Sequence, residues 1–377
     1  MKNELGKPWC SGCGACYVVC PKNAIKMVSN EKGFVTPIIN EKQCIKCGKC
    51  LRICNEKLDV NQVKKTYILR HKQEEVYNTS QSGGAFTLFA DYVLENNGIL
   101  YGAHLNEKKV LSHFRVASIS ERNLMHGSIY IQSDAFKVFK NIEKDLKQNK
   151  FVLFIGTPCQ VSGLKKTLKL NKINTDKLLL IDLLCHGVGS TKIWMEFIKH
   201  YEKKYKHSLD AIEWCGADEQ VRPYFSFNYG QHTVNDSQFK KLYYSNLMMR
   251  TSCYSCPFTR TERTGDISIG DAAGIKEYDG DFYNPKGTSL ILINTQKGLK
   301  IWEQVMESSV YREVSINNYQ QECLKESPKT KRSSDEFWID YETKGIEYIL
   351  KKYAEHRILF NIKYICKRIV NKWKGKK

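Results

Sequence analysis

The sequence lacks any apolar run that approaches the roughly 18–20 residues of a membrane-spanning helix. Its first ten residues, MKNELGKPWC, have no apolar core of the kind that a secretory signal peptide needs. Apolar residues make up 42% and charged residues 26% of the 377 residues, the balance of a globular protein with two or three structural units. We therefore expect a cytoplasmic protein with a sizeable buried core.

Nucleotide and nucleic-acid motifs are also missing. The chain has no G-x-G-x-x-G, no Walker A loop, no zinc-finger spacing and no aromatic RNA-binding motif. The net charge of +19 suits nucleic acid, an anionic membrane or acidic molecules, but the basic residues are spread along the chain, so we expect no nucleic-acid partner. HGVGSTK carries only half of a dinucleotide fingerprint and opens a helix at Ser190 and Thr191.

Cysteine, in contrast, is abundant, with fifteen in the chain. In a reducing cytosol, closely spaced cysteines are more typical of metal binding or redox chemistry than of a disulfide framework. CSGCGACYVVC and CIKCGKCLRIC both follow a C-x2-C-x2-C-x3-C spacing, which is typical of [4Fe–4S] clusters. Structural zinc, which usually takes two separated pairs of ligands, is the alternative.

In such a run, three thiolates come from one loop, and the fourth points from the next helical turn toward a second cluster. We therefore predict two clusters that exchange their fourth ligands. One would be bound by Cys10, Cys13, Cys16 and Cys54, and the other by Cys44, Cys47, Cys50 and Cys20. The stretch resembles a bacterial two-cluster ferredoxin, a module that moves single electrons.

The remainder of the chain predicts an α/β fold. SQSGGAFTLFADYVLENNGILYGAHL indicates a tight turn at residues 80–84, a helix and a strand. NKFVLFIGTPCQVSGLKKTL and KLLLIDLLCHGVGSTKIWMEFIKHY are two strand–turn–helix units, which favour a mostly parallel sheet that binds ligands beyond its carboxyl ends. The Ser/Gly turn is interpreted as an anion site or as an ordinary loop.

Four further cysteines form a second constellation. Cys159 and Cys185 follow predicted strands, and Cys253 and Cys256 form a C-x2-C pair. The pattern permits a third cluster, with zinc at the same ligands as the alternative. Cys215, Cys323 and Cys366 have no cysteine close in sequence and are interpreted as inert buried thiols.

SQSGGAFT, HGSIYIQS, FIGTPCQVSGLK, DLLCHGVGS and CYSCPF…GDISIGD occur in that order. Together with the ferredoxin-like stretch, this set resembles the beta-subunit family of coenzyme F420 hydrogenases and dehydrogenases. The resemblance implies an iron–sulfur flavoprotein oxidoreductase that passes electrons between [4Fe–4S] clusters, FAD and an organic or deazaflavin-type acceptor. It also implies a third [4Fe–4S] cluster at Cys159, Cys185, Cys253 and Cys256, and a link to surface-polysaccharide synthesis.

The resemblance further implies which residues surround the flavin: Ser82, Gly83, Gly84, Gly127, Ser128, Gly156, Thr157, His186 and Gly187. The expected partners are a small-molecule substrate and a redox protein, either a ferredoxin or an enzyme. Two alternatives stay open. One is a non-catalytic electron-transfer subunit for a partner enzyme, and the other is a zinc-stabilised interaction module.

The predicted organisation has four parts. Residues 1–60 form the two-cluster domain, residues 61–145 an N-terminal family region, residues 146–350 a C-terminal α/β region, and residues 351–377 a basic amphipathic helix. No acidic residue follows Glu355. The apolar stripe of this helix is interpreted as packing on the protein, as meeting the inner face of the membrane peripherally, or as binding an acidic protein.

Overall fold

The computed structural model describes residues 5, 9–125, 127–215, 224–235, 237–329 and 333–355. The predicted helical tail at residues 356–377 lies outside the described residues. The chain divides into two compact units. The first comprises Met1–Lys192, Trp214–Tyr224 and Arg250–Pro328, and the second comprises Ile193–Glu213, Phe225–Met249 and Lys329–Lys377.

The strands, in chain order, are β1 Ile25–Ser29, β2 Val35–Ile39, β3 Lys65–His71, β4 Ile99–Leu105, β5 Leu111–Val116, β6 Val152–Gly156, β7 Leu178–Leu183, β8 Ala211–Cys215, β9 Tyr224–Tyr229, β10 His232–Asn235, β11 Ile267–Asp271, β12 Ser289–Ile293 and β13 Ser309–Glu313. The α-helices are α1 Ala15–Val18, α2 Lys49–Asn55, α3 Glu74–Thr79, α4 Ala85–Glu95, α5 Ile119–Arg122, α6 Phe139–Lys147, α7 Pro158–Leu170, α8 Thr191–Tyr205, α9 Ser237–Tyr244, α10 Ile275–Tyr278, α11 Gln296–Val305, α12 Glu322–Lys325 and α13 Ser333–Ile349.

An eight-stranded sheet organises the first unit, in the order β13-β3-β12-β11-β7-β6-β4-β5. Its four neighbouring strands β11, β7, β6 and β4 are parallel, as the strand–turn–helix pattern predicts. The pairings at both margins are antiparallel. β12 is antiparallel to β11. The connection between them, which contains α10, begins and ends at the same end of the strands, so the chain re-enters the sheet in the opposite direction.

Both faces of this sheet are covered, since successive strand residues point to opposite sides. On one face, Leu153 and Ile181 pack against Phe89 of α4 and Trp302 of α11. On the other face, strand residues such as Phe154 pack with apolar residues of α6 and α7. The result is a three-layer α/β body whose parallel strands all end at one edge, called here the carboxyl edge.

The cysteine-rich N-terminus packs directly on this body. Its two strands pair antiparallel, with Ile25 opposite Ile39, between α1 and α2. α1 begins after Gly14, whose φ of 72° favours glycine. A Cβ at Gly14 would lie 2.3 Å from Cβ of Phe136, and Val18 of α1 joins the core of α6 and α7.

HGVGSTK holds the β1–β2 turn in place. Ser190 Oγ donates a hydrogen bond to the carbonyl of Lys32 at 2.6 Å, and the Thr191 hydroxyl donates to the carbonyl of Gly33. These hydroxyls therefore serve a contact within the chain. The polar stretch after Cys54 is bound to α7, because Lys166 Nζ of that helix donates a hydrogen bond to the Glu56 carbonyl at 2.6 Å.

The second unit holds a three-stranded sheet, in the order β10-β9-β8, together with α9 and α13. Its buried core is aromatic and includes Trp194, Phe197, Phe227 and Phe239. Across the part of the chain that the structure describes, no helix combines the length and apolar content needed to cross a bilayer.

Candidate functional site

Three groups of cysteines lie in the first unit. The first, called the Cys54 group, comprises Cys10, Cys13, Cys16 and Cys54. Burial raises the pKa of Cys16, and the nearby thiols of the other three cysteines raise it further. Burial and the Cys13 and Cys10 thiols likewise raise the pKa of Cys54 to about 11. Such mutual effects require short distances between thiols, so the structure brings together the four that the sequence pairs.

The second group, called the Cys20 group, comprises Cys20, Cys44, Cys47 and Cys50. All four thiols line one cavity at the end of the β1–β2 hairpin and the start of α2. The backbone N–H of Ala24 donates to Sγ of Cys20 at 3.2 Å. Cys47 is exposed, so this cavity reaches the protein surface.

The third group, called the Cys185 group, gathers residues that are far apart in sequence. Cys159 lies in the first turn of α7, and Cys185 follows β7. Cys253 lies within the short 3-10 turn Thr251–Ser255, and Cys256 follows that turn. Burial, followed by the thiols of Cys185 and Cys256, raises the pKa of Cys159 to about 12. Burial, followed by the thiols of Cys159 and Cys256, raises the pKa of Cys253 to about 12.

Local hydrogen bonds hold the Cys185 group at the carboxyl edge. The Thr157 hydroxyl lies 3.2 Å from Sγ of Cys159, and the N–H of Gly187 donates to Sγ of Cys185 at 3.4 Å. The loop after Cys256 is tied to β7 by a buried ion pair of 2.9 Å between Arg263 and Asp182. Removing either partner of such a pair would leave an uncompensated buried charge.

Four thiols per group are a donor set that suits a [4Fe–4S] cluster, and N–H···S bonds are a usual part of its surroundings. Because burial raises the pKa of Cys54, Cys159 and Cys253, these thiols hold their protons at neutral pH, and iron would have to displace them. In the described residues, no three His, Cys, Asp or Glu side chains are placed to hold a single metal ion. In a cube, each thiolate instead contacts its own iron atom.

The three groups form a series. The Cys50 thiol of the Cys20 group contributes to the raised pKa of Cys54, and the Cys13 thiol contributes to that of Cys159. α7 packs closely at the second of these junctions, because a Cβ at Gly163 would lie 3.1 Å from Sγ of Cys13. The Cys54 group therefore lies between the other two.

Arg250 lies at the same junction and was not predicted from the sequence. Its buried guanidinium donates to the carbonyls of Cys10 at 2.8 Å and Val35 at 2.9 Å, and to Oε1 of Gln132 at 2.8 Å. All three acceptors are neutral. The available sequence clue was a cation three residues before Cys253.

Cys323 is also closer to the site than its sequence suggests. Its buried thiol raises the pKa of Cys185, and the Cys256 thiol contributes to the pKa of Cys323, which burial chiefly raises to about 11. It therefore has cysteine neighbours in space although it has none in sequence.

The residues predicted to surround a flavin are spread along the carboxyl edge. Ser82, Gly83 and Gly84 form the turn before α4, where a Cβ at Gly83 would lie 2.1 Å from the carbonyl oxygen of Leu69. The start of β12 packs on this turn at Ser289, and Thr288 immediately precedes it. The buried Thr288 hydroxyl has no hydrogen-bond partner among the described residues. A bound polar group could satisfy that hydroxyl, so this part of the edge fits a ligand.

The other predicted flavin residues lie beside the Cys185 group. Gly127 and Ser128 precede Ile131, which bridges to Gly189 in the loop after Cys185. Nε2 of His186 lies 3.3 Å from Oε1 of Gln321. The remaining residues hold the cysteines or end a strand: Gly156, Thr157 and Gly187.

An α/β body with cysteine groups at its carboxyl edge, joined to a dicluster module, defines an iron–sulfur electron-transfer protein of the oxidoreductase type. Residues 9–58 match the 4Fe-4S dicluster domain, and residues 149–318 match the family described as the C terminus of coenzyme F420 hydrogenase/dehydrogenase beta subunits. Residues 149–318 therefore carry the C-terminal region of this beta-subunit family, and a dicluster domain precedes that region in the chain.

One curated relative is the coenzyme F420-dependent sulfite reductase of Methanocaldococcus jannaschii, 26% identical over 315 residues. The match covers 78% of this chain but 45% of the relative, so this chain spans about half of that protein. A solved structure of the F420-reducing [NiFe] hydrogenase complex from Methanosarcina barkeri matches 79% of this chain and 93% of its own chain, at 18% identity and a TM-score of 0.48.

Proposed function

We propose that this protein is an iron–sulfur flavoprotein that passes electrons between [4Fe–4S] clusters, FAD and an organic or deazaflavin-type acceptor. The observation that carries this proposal is the series of three cysteine groups, which leads from the exposed Cys47 to the carboxyl edge of the sheet. The edge at which the series ends is where open α/β sheets bind their ligands.

The Cys20, Cys54 and Cys185 groups would each hold one [4Fe–4S] cluster, and the carboxyl edge near Ser82–Gly84 and Thr288 would hold the flavin. When bound, the clusters supply one-electron transfer, and a flavin exchanges single electrons with two-electron hydride chemistry. The chain itself excludes water, fixes the thiols and donates N–H groups to sulfur. Those hydrogen bonds and the buried charge of Arg250 are what this protein contributes to reduction potential.

The name of the archaeal relative supports a deazaflavin-type redox partner. Because this chain spans 45% of that relative, electron delivery to a separate partner enzyme is the second candidate function. The link to surface-polysaccharide synthesis and the peripheral membrane contact of the tail stay predictions from the sequence.

Iron, acid-labile sulfide and flavin, quantified on one anaerobic preparation, test the proposal. We expect about twelve irons and twelve sulfides per chain, as for three cubes, and one FAD. A preparation with the full iron content and no flavin would favour the electron-transfer subunit. Zinc without sulfide would overturn both functions.

Replacing Cys256 by alanine tests the third cluster. We expect the variant to lose about four irons per chain, because a cube without one thiolate is labile, while the paramagnetic signal of the two N-terminal clusters survives. Cys323→Ala is the matched control and should keep the full iron content. Equal iron in Cys256→Ala and the native chain would show that these four thiols are merely buried.

A further inference from the structure

The cavity of the Cys20 group is the outward end of the cysteine series. Cys47 is exposed, and Pro21, Lys22, Ile45 and Lys49 line the same cavity. The side chain of Ile45 is 55% exposed. The four cysteines of the Cys185 group are instead partly buried, and none of them is exposed.

The surroundings of this cavity are positively charged. Five exposed cations, called here the basic face, flank the thiols in sequence or line the cavity: Lys22, Lys42, Lys46, Lys49 and Arg52. Lys49 and Arg52 are three residues apart on α2 and so share one side of that helix. Residues 9–58 contain eight Lys and Arg residues, three Glu and no Asp.

Other lysines near the N-terminal cysteine-rich module, unlike these five cations, form ion pairs with carboxylates. Lys165 pairs with Asp59 at 2.9 Å, and Lys169 pairs with Glu56 at 2.6 Å. Over the described part of the chain, no carboxylate pairs with any of the five cations of the basic face, so their charge is directed to solvent. An exposed apolar residue among unpaired cations, beside the exposed thiol of Cys47, has the features of a protein-docking surface.

We propose that the basic face docks an acidic one-electron carrier protein, which exchanges electrons with the protein through the Cys20 group. The proposal rests on the proposed function for what the cysteines hold. Its chemistry is the loss of one electron by the reduced carrier and its gain by the oxidised protein, with no bond made or broken. Carboxylates on the carrier complement the unpaired cations, and an apolar contact at Ile45 fixes the docked pair.

Charge complementarity of this kind mainly accelerates association, and salt screens it. The anaerobic holoprotein is therefore mixed by stopped flow with a reduced plant-type [2Fe–2S] ferredoxin, an acidic carrier, at low and high ionic strength. We expect a second-order rate constant that falls with salt. Lys22→Glu/Lys46→Glu/Lys49→Glu should lower that rate constant more than tenfold at low salt and remove most of the salt dependence.

The matched control is Lys108→Glu/Lys144→Glu/Lys300→Glu, which makes the same change in net charge at exposed residues outside residues 9–58. It should keep most of the native rate and its salt dependence. Equal rates in the two triple variants would overturn the docking proposal. If the triple variant loses iron, the double variant Lys46→Gln/Lys49→Gln replaces it, with Lys108→Gln/Lys144→Gln as its control. This change in charge is smaller, so we expect a smaller decrease in the second-order rate constant.

Reduction by dithionite separates this proposal from the proposed function. All variants with full iron content should bleach in dithionite to the same extent, since the cysteines are unchanged. A native protein that dithionite cannot bleach would contradict the proposed function itself. Sedimentation with phosphatidylserine vesicles that depends on the basic face, together with unaltered carrier rates, would assign the face to a membrane and overturn the docking proposal.

Discussion

Arg250 is a buried cation whose hydrogen-bond acceptors are all neutral, set between the Cys10 loop and Cys253. Cysteine-ligated clusters are anionic, so this guanidinium would favour their reduced state and raise their reduction potential. The planar guanidinium also connects two segments of the N-terminal module, because it donates hydrogen bonds to the carbonyls of Cys10 and Val35.

We expect Arg250→Met to shift the potential of the adjacent clusters to more negative values, because it removes the positive charge. It should also destabilise the protein by about 1–3 kcal/mol for each acceptor left buried and unpaired. Arg250→Lys keeps the positive charge but lacks the several hydrogen-bond donors of the planar guanidinium. We therefore expect this variant to be less stable than the native protein, with a reduction potential closer to the native value. Potentiometric titration followed by electron paramagnetic resonance, with urea unfolding, checks both effects. Equal potentials in all three proteins would assign Arg250 a purely structural role.

His113 is a second residue with a measurable consequence. Burial lowers its pKa to about 4, and the ring Nε2 lies 2.8 Å from the carbonyl oxygen of Ile155. The unfolded chain takes up a proton near pH 6.5, whereas the folded chain resists it until about pH 4. The stability that neutral His113 contributes is therefore present above pH 6.5 and is lost as the pH falls to 4.

Between pH 8 and pH 5, this residue should account for about 2 kcal/mol of lost unfolding free energy. His113→Gln has no proton to gain and keeps a donor for the Ile155 carbonyl, so it should lose less stability over the same range. Urea unfolding of both proteins at the two pH values measures the difference. A pH dependence as steep as that of the native protein in His113→Gln would show that other groups cause the decline.

At the scale of elements, α7 connects the sheet to the N-terminal module. Its Thr157 hydroxyl accepts from the N3 backbone N–H while the Gln160 side chain accepts from the Thr157 N–H, and this capping box positions Cys159 in the first turn. One turn later, Gly163 faces Cys13, where a Cβ would lie 3.0 Å from Cys13 Cβ. The helix therefore sets the separation of two cysteine groups.

Gly163→Ala tests this role. Alanine favours the helix by about 1 kcal/mol, but its methyl group would push the Cys13 loop by a few tenths of an ångström. We expect faster loss of the cluster in the Cys54 group, with little change in thermal unfolding of the body. Gly280→Ala, where an added Cβ meets nothing within 4 Å, should leave cluster loss unchanged. If Gly163→Ala retains the cluster as well as the native protein does, the Cys13 loop accommodates the added methyl group and α7 does not set the separation of the two cysteine groups.

At the scale of the whole molecule, the N-terminal module and the α/β body share a core. Val18 packs with α6 and α7, and a Cβ at Gly33 would lie 2.5 Å from the backbone nitrogen of Lys192. We expect proteolytic nicking within residues 55–64 to leave the module bound to the body in gel filtration. Release of a fragment of about 60 residues would contradict this expectation and favour an independent domain.

The sequence by itself determined the local features. A spacing of two or three residues places several thiols on one loop and one helical turn, so the two N-terminal groups and their exchange of Cys20 and Cys54 were predictable. Strand and helix periodicity likewise predicted β4, β6 and β7 with their helices. These features depend on residues close in sequence.

Tertiary structure alone decided what depends on distant residues. It brought Cys159 and Cys185 to Cys253 and Cys256, placed Arg250 against Cys10, and put Cys323 beside the site. It also set β12 antiparallel to β11, and it engaged Ser190 and Thr191, which carry half of a dinucleotide fingerprint, with the β1–β2 turn. Local spacing carries no information on these contacts, because they follow from which surfaces of the sheet and its helices bury each other.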